Sequence, residues 1–276
     1  MLPYIHILNR DIGTYGLIAM IAASLCGVLF MIGLKKRKIM IEDGIFFLMY
    51  VLLGVVIGSH LLYAITQYHL LPYLFQKVEL TVWFERAQRI FGGSVFYGGL
   101  IGGIGSGYLG LKILKQDISV YSDLLAPIVP LFHGIARIGC FFAGCCYGIP
   151  CEWGITVDYN SIIPEMAGVA RFPIQLVEAI CNLILASALL FLLLRSQRHP
   201  ILSGNLFKIY LIAYGIIRFS DEFLRGDAYR GFLGIFSTSQ WVSLVIVSIS
   251  TILLFRAINT SKKEKGLLYS NCNDLN

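Results

Sequence analysis

Apolar residues in this 276-residue chain fall in long, nearly unbroken runs, not in the strict alternation of a half-buried strand. Runs near 14–34, 44–64, 93–114, 120–143, 172–194, 204–220 and 237–256 approach the roughly 20 residues with which a helix crosses a bilayer. The pattern predicts an all-α, polytopic membrane protein of about seven transmembrane helices. Glycine dilutes the third run, and the sixth is short. No stretch between the runs is long enough to bury a core of its own, so residues 1–276 read as a single integral membrane domain. Segments near 65–92 and 144–171 are expected to be outer-face loops, the first with an amphipathic stretch around Trp83, Phe84, Glu85, Arg86, Gln88 and Arg89. From about residue 257 the chain reads as a short, solvated cytoplasmic tail without regular structure.

Composition sharpens this picture. Hydrophobic residues make up 57% of the chain and charged residues 14%, whereas about a quarter of a soluble domain is charged. The net charge of +6 calls for no nucleic acid, because basic residues in a membrane protein mark its cytoplasmic loops. Lys35, Lys36, Arg37 and Lys38 follow the first run, and Lys112 and Lys115 close the third. Arg195, Arg198 and Lys208 lie between the fifth and sixth, and Arg256, Lys262, Lys263 and Lys265 follow the seventh. These clusters alternate onto one face, which predicts an outside N-terminus and a cytoplasmic C-terminus. The N-terminus has no basic region before its first apolar run, so insertion is expected to rest on the helices themselves.

Candidate chemistry begins with charges inside or at the end of the apolar runs: Arg137, Glu178, Arg218, Asp221 and Glu222. Each costs about 2.5–3.5 kcal/mol at mid-bilayer on insertion scales, so these side chains should face one another or a polar cavity. One reading pairs Arg137 and Arg218 with Glu178 and Glu222 to hold helices together. The other places arginines at the outer ends of two spans to grip a phospholipid phosphate, which the planar guanidinium fork suits. Arg218 and Glu222 are spaced i, i+4, and Arg225 lies seven residues beyond Arg218, a spacing that predicts one helix face for both arginines.

The glycine-rich run from Gly92 through Gly98, Gly99, Gly102 and Gly103 can serve close helix packing or close approach of a ligand to backbone. Tyr97 among them offers a phenol. Of the seven cysteines, Cys140, Cys145, Cys146 and Cys151 crowd together without the paired C-x-x-C spacing of a zinc ribbon, so no metal site is expected. An outer-face disulfide and small packing residues remain open readings. His133 shares a helix face with Arg137, four residues on.

Taken in order, these segments resemble the prolipoprotein diacylglyceryl transferases, from near Tyr15 to about residue 256. Thr14-Tyr15-Gly16-Leu17 is similar to the family's aromatic-tyrosine-glycine start, and Tyr97-Gly98-Gly99-Leu100 to its His-Gly-Gly-Leu. The segment from Ala136 through Arg137, Cys140, Phe141 and Cys145 to Gly148 resembles the signature Gly-Arg-x-x-Asn-Phe-x-Asn-x-Glu-x-x-Gly. Arg171-Phe172-Pro173-Ile174-Gln175-Leu176-Val177-Glu178 resembles Arg-His-Pro-x-Gln-Leu-Tyr-Glu, and Tyr214-Gly215 with Arg218, Glu222 and Arg225 resembles Tyr-Gly-x-x-Arg-x-x-x-Glu-x-x-Arg. Ser239-Gln240 matches the polar pair that opens the last helix. The departures are Tyr97 for histidine, Cys140 and Ala143 for two asparagines, and Cys145 for glutamate.

The resemblance implies a bacterial enzyme of the cytoplasmic membrane. In its reaction a lipobox cysteine thiol takes the diacylglyceryl group of phosphatidylglycerol and glycerol phosphate departs. Membrane lipid and the signal segment of a preprolipoprotein are the implied partners, and no cofactor is implied. Tyr97, Arg137 and Arg218 are the catalytic candidates. Arg137, Tyr15, Gly98, Gly99, Cys140, Gly148, Tyr214, Glu222 and Arg225 are the substrate-binding candidates, with His133 as a possible replacement base. The departures leave two readings, a working variant with rearranged acid-base groups or a paralogue with another acceptor, a transport role or a non-catalytic one.

Overall fold

The computed structural model describes the chain except residues 1, 8–9, 77, 94, 157–166, 197–201, 227–230 and 274–276, and the side chains of 7, 96, 97 and 261–273. An antiparallel hairpin opens it, β1 (Tyr4–Ile7) on β2 (Arg10–Gly13). The helices α1 (Thr14–Lys36), α2 (Ile41–Thr66), α3 (Leu80–Phe91), α4 (Phe96–Ile113) and α5 (Ile118–Ala143) follow. A strand β3 (Pro150–Ile155) precedes α6 (Ile174–Ser196) and α7 (Leu206–Asp221). A short hairpin, β4 (Phe232–Leu233) on β5 (Phe236–Ser237), leads into α8 (Thr238–Asn273).

Each of the seven apolar runs forms a helix, and among the described residues five are long and apolar enough to cross a membrane: α1, α2, α5, α6 and Thr238–Thr260 of α8. Their apolar side chains stay uncovered, with Leu52 of α2, Met20 of α1 and Ile184 of α6 each at least 60% exposed. Such surface belongs in lipid, where helices satisfy their own backbone. The 16 residues of α7 span only about 24 Å at 1.5 Å per residue, and α4, though 18 residues long, is diluted by glycine, so both fall short. Two local expectations are corrected. The backbone remains helical to Asn273 through the tail that was expected to be irregular. And α7 ends at Asp221 in a 3-10 turn, Glu222–Leu224, so Arg218 and Arg225 do not share a helix face.

The chain forms two compact units, residues 31–118 and residues 1–30 with 119–276. In the first of these, α2 and α4 meet through glycine. A Cβ on Gly98 would lie 2.3 Å from the Gly58 carbonyl oxygen, and one on Gly102 would lie 2.1 Å from that of Gly54. Each helix therefore offers a small-x-x-x-small stripe, the arrangement that lets backbones touch in lipid. Gly98 and Gly99 are buried in that seam.

In the other unit, Ala126 of α5, Leu189 of α6 and Leu206 and Tyr210 of α7 form a common core. Polar groups set the helix starts. The buried Asp123 carboxylate accepts from the Gly204 and Leu206 amides at 2.6 and 3.0 Å, capping α7 from α5. At α8, the Ser237 amide donates to Gln240 Oε1 at 3.0 Å and the Gln240 amide to Ser237 Oγ at 3.2 Å, a reciprocal capping box.

Candidate active site

The last turns of α5 place His133, Arg137 and Cys140 on one stripe, at i, i+4 and i+7. Glu178 faces them from α6 with 2% of its surface exposed. Its carboxylate gathers three guanidinia. Arg137 pairs through Nε with Oε2, and Nη1 of Arg218 and of Arg225 stand 3.6 and 3.8 Å from Oε1. Arg218 also holds Glu222 through Nη2 at 2.7 Å and donates to Ser239 Oγ of α8 at 3.0 Å. Four elements thus converge on one ion cluster. The helix-pairing expected of Arg137 and Arg218 with the two glutamates is therefore present, and it extends to Arg225.

A buried charge left without its partner costs several kcal/mol, so this cluster is mutually dependent. Three guanidinia face two ion-paired carboxylates, and the buried Asp221 carboxyl also interacts with all three arginines. Converging guanidinia suit an anion, because fixed cationic donors shielded from water stabilise negative charge far more than they would in water.

The chain beyond α7 is positioned by backbone. The Ile149 amide donates to the Leu224 carbonyl at 3.0 Å, the Gly226 amide to the Tyr147 carbonyl at 2.9 Å and the Phe172 amide to the Ile149 carbonyl at 2.9 Å. Gly148 bridges to Arg225 where three segments cross, and a Cβ there would stand 2.3 Å from the Phe172 carbonyl oxygen. Its role here is this close approach. Arg171 lies over the Tyr147 ring at 4.4 Å and closes the same corner.

Tyr214 stacks on Tyr210 at 5.7 Å and stands 5.3 Å from the His133 ring. His133 Nε2 accepts from Arg137 Nε at 3.2 Å, so its lone pair is engaged and it positions the guanidinium. Tyr15, 45% exposed, packs at the start of α1 against α5, where a Cβ on Gly139 would meet its ring at 3.3 Å. Cys140 is buried, and Arg137 Nη1 reaches its sulfur at 4.0 Å.

Arg137, Arg218, Arg225, Glu222, Tyr214, Cys140, Gly148 and Tyr15 thus all belong to one unit. Gly98 and Gly99 belong to the other, as does Tyr97, whose side chain lies outside the described residues. Glu178 is the hub that the site expectation left out, although its charge inside an apolar run was the signal for it. Gln175, buried beside it, donates from Nε2 to the Cys145 carbonyl at 2.8 Å and ties α6 to the turn after α5.

That turn uses two left-handed residues, Gly144 at φ 78° and Cys146 at φ 56°. The second costs on the order of 1–3 kcal/mol for a residue with a side chain. It brings the sulfurs of Cys140, Cys145 and Cys146 within 4.8 Å of one another. The neighbouring Cys140 and Cys145 thiols, then the charges of Arg137 and Arg225, hold the Cys146 thiol below its ordinary range. Cys140 and Cys146, together with burial, drive the Cys145 thiol up.

Apolar, largely uncovered helices and a buried arginine–carboxylate cluster define a multi-pass membrane protein with charge held inside it. The comparisons specify its lineage: residues 3–256 match the family model described as Prolipoprotein diacylglyceryl transferase, and the chain belongs to that family. It is 35% identical over 237 residues to the phosphatidylglycerol–prolipoprotein diacylglyceryl transferase of Clostridium tetani (strain Massachusetts / E88), covering 85% of this chain and 90% of the relative. It is 36% identical over 212 residues to a Clostridium perfringens (strain 13 / Type A) relative so named with the numeral 2, covering 76% of each. A Clostridium botulinum (strain Loch Maree / Type A3) relative of the first name is 29% identical over 267 residues, covering 94% of this chain and 97% of its own length.

Proposed function

We propose that this chain transfers the diacylglyceryl group of phosphatidylglycerol to the lipobox cysteine of a preprolipoprotein, with release of glycerol phosphate. The observation that carries the reading is the convergence of Arg137, Arg218 and Arg225 on Glu178, in a chain whose relatives are named for this lipid. The acceptor sulfur attacks the glyceryl carbon bonded to the phosphate oxygen. The C–S bond forms as the C–O bond breaks, and the bonding electrons leave on the phosphate.

Arg137 and Arg218 take that developing charge, and Arg225 holds the headgroup at the mouth of the site. Glu178 and Glu222 keep the guanidinia oriented before substrate arrives. Tyr15, Cys140, Gly148 and Tyr214 shape the pocket, and Tyr97, Gly98 and Gly99 are assigned to the reaction on the family resemblance alone. With His133 engaged by Arg137, the departing phosphate takes the acceptor's proton, since the second pKa of a phosphate monoester is about 6. Substitution at carbon by this route needs alignment and charge stabilisation, not a cofactor.

The setting we propose is the bacterial cytoplasmic membrane. There α4 and α7 also cross the bilayer, giving about seven spans in one domain, with the N-terminus outside, outer loops near 65–92 and 144–171, and the tail from about 257 in the cytoplasm. Lipid enters sideways, and the acceptor's signal segment lies alongside. Cysteines and alanine at polar positions of the signature favour one competing reading, a family member that binds the lipid without transferring it. Purified protein given labelled phosphatidylglycerol and a lipobox peptide separates the two. Label on the peptide thiol supports transfer, and lipid binding without labelled peptide overturns it.

A further inference from the structure

The transfer step uses the chemistry of none of three neighbouring thiols, although Cys140 also borders the proposed pocket. Cys140 sits on the last turn of α5, and the chain leaves that helix through Gly144 and Cys145 to Cys146, folding all three sulfurs to within 4.8 Å of one another. The backbone that does this is pinned. The Gly144 and Cys145 amides donate to the Cys140 carbonyl at 2.9 and 3.2 Å, and Gln175 holds the Cys145 carbonyl from α6. A zinc–sulfur bond of about 2.3 Å puts three sulfurs around one ion at roughly 4 Å separations, so a movement of under about 1 Å closes the set.

The surroundings select the kind of ion. Cys140 is buried while Cys145 and Cys146 are half-buried, so the cluster is reachable but largely dry. Arg137 stands 4.0 Å from the Cys140 sulfur and offsets the negative charge that thiolate ligands carry. Among the described residues no histidine or carboxylate joins the three sulfurs in the group, and Glu178 and Glu222 are ion-paired to arginines. The donor set is therefore all sulfur, which favours soft or borderline cations over magnesium or calcium.

We propose that Cys140, Cys145 and Cys146 form a three-sulfur site for a thiophilic d10 cation, with Zn(II) as its occupant and the fourth position open to water. Up to three thiol protons pass to solvent as the ion binds, and no electron is transferred. The bound ion takes no part in the transfer chemistry itself. An ion there also draws the Cys140 sulfur away from Arg137, so occupancy slows diacylglyceryl transfer.

The test uses the full-length chain, reduced, purified in detergent and titrated with Zn(II), then with Cd(II) for its sulfur-to-metal absorption. One ion per chain is expected, with affinity falling at least tenfold in Cys140→Ser, Cys145→Ser and Cys146→Ser and holding in Cys151→Ser. Because a serine variant can misfold, the natural chain supplies a second reading. Zn(II) should slow iodoacetamide alkylation of Cys140, Cys145 and Cys146, read by peptide mass spectrometry, and leave Cys151 unaffected. Binding unchanged by all three substitutions, or no protection in the natural chain, overturns the site.

Discussion

Replacing Glu178 by glutamine keeps the shape of the side chain and one acceptor oxygen but removes the charge around which Arg137, Arg218 and Arg225 gather. Glu178 is 2% exposed, so water cannot take over. Removing one partner of a buried ion pair costs about 3–5 kcal/mol, chiefly because the opposite charge stays buried and uncompensated. Glu222 still neutralises Arg218, which places the expected loss of native-state stability near the lower end of that range. Bound phosphatidylglycerol, with its anionic headgroup, can replace the lost charge, whereas the choline of phosphatidylcholine offsets its own phosphate. Glu178→Gln should therefore be destabilised by about 3 kcal/mol in phosphatidylcholine, and phosphatidylglycerol should restore more stability to it than to the natural chain. Denaturation of both proteins reconstituted in the two lipids measures this. Equal stability in phosphatidylcholine, or equal gains from phosphatidylglycerol, would refute the view of Glu178 as a counter-ion standing where substrate charge acts.

Other expectations follow from single contacts. Arg218→Lys retains the charge but loses the fork that reaches Glu178, Glu222 and Ser239 together, so transfer should fall by about 10²- to 10³-fold in the labelled-lipid assay. Gly102→Ala puts a methyl 2.1 Å from the Gly54 carbonyl oxygen and should destabilise by at least about 1–3 kcal/mol, whereas Gly105→Ala, with open space at its Cβ, should leave the melting temperature in place. Asp123→Ala strips the cap from α7 and should cost about 0.5–2 kcal/mol, read in the same thermal assay.

The helices were legible because lipid-facing helices need long apolar runs, and α1, α2, α5 and α6 begin and end within a few residues of those runs. Arg137, Arg218 and Glu222 stood out because a charge inside such a run is costly enough to require a partner. Less could be read where tertiary contacts decide. A seven-residue spacing put Arg225 on the face of Arg218, but α7 stops at Asp221, and it is the crossing at Gly148 that returns Arg225 to Glu178. Spacing alone put His133 on the Arg137 face but did not reveal the hydrogen bond that its Nε2 accepts from the Arg137 guanidinium. The thiol cluster was invisible to spacing rules because it depends on a left-handed Cys146, which no repeat in the sequence announces.

The most direct test of the central claim, that the arginine cluster receives the phosphate as it leaves, is single-turnover transfer from saturating phosphatidylglycerol to a lipobox peptide. It compares Arg137→Ala with the natural chain, with lipid binding measured in parallel. The account predicts transfer by the natural chain and a rate lower by about 10²- to 10³-fold in the variant, with much of the loss remaining at saturating lipid. Transfer by Arg137→Ala at the natural rate would contradict it.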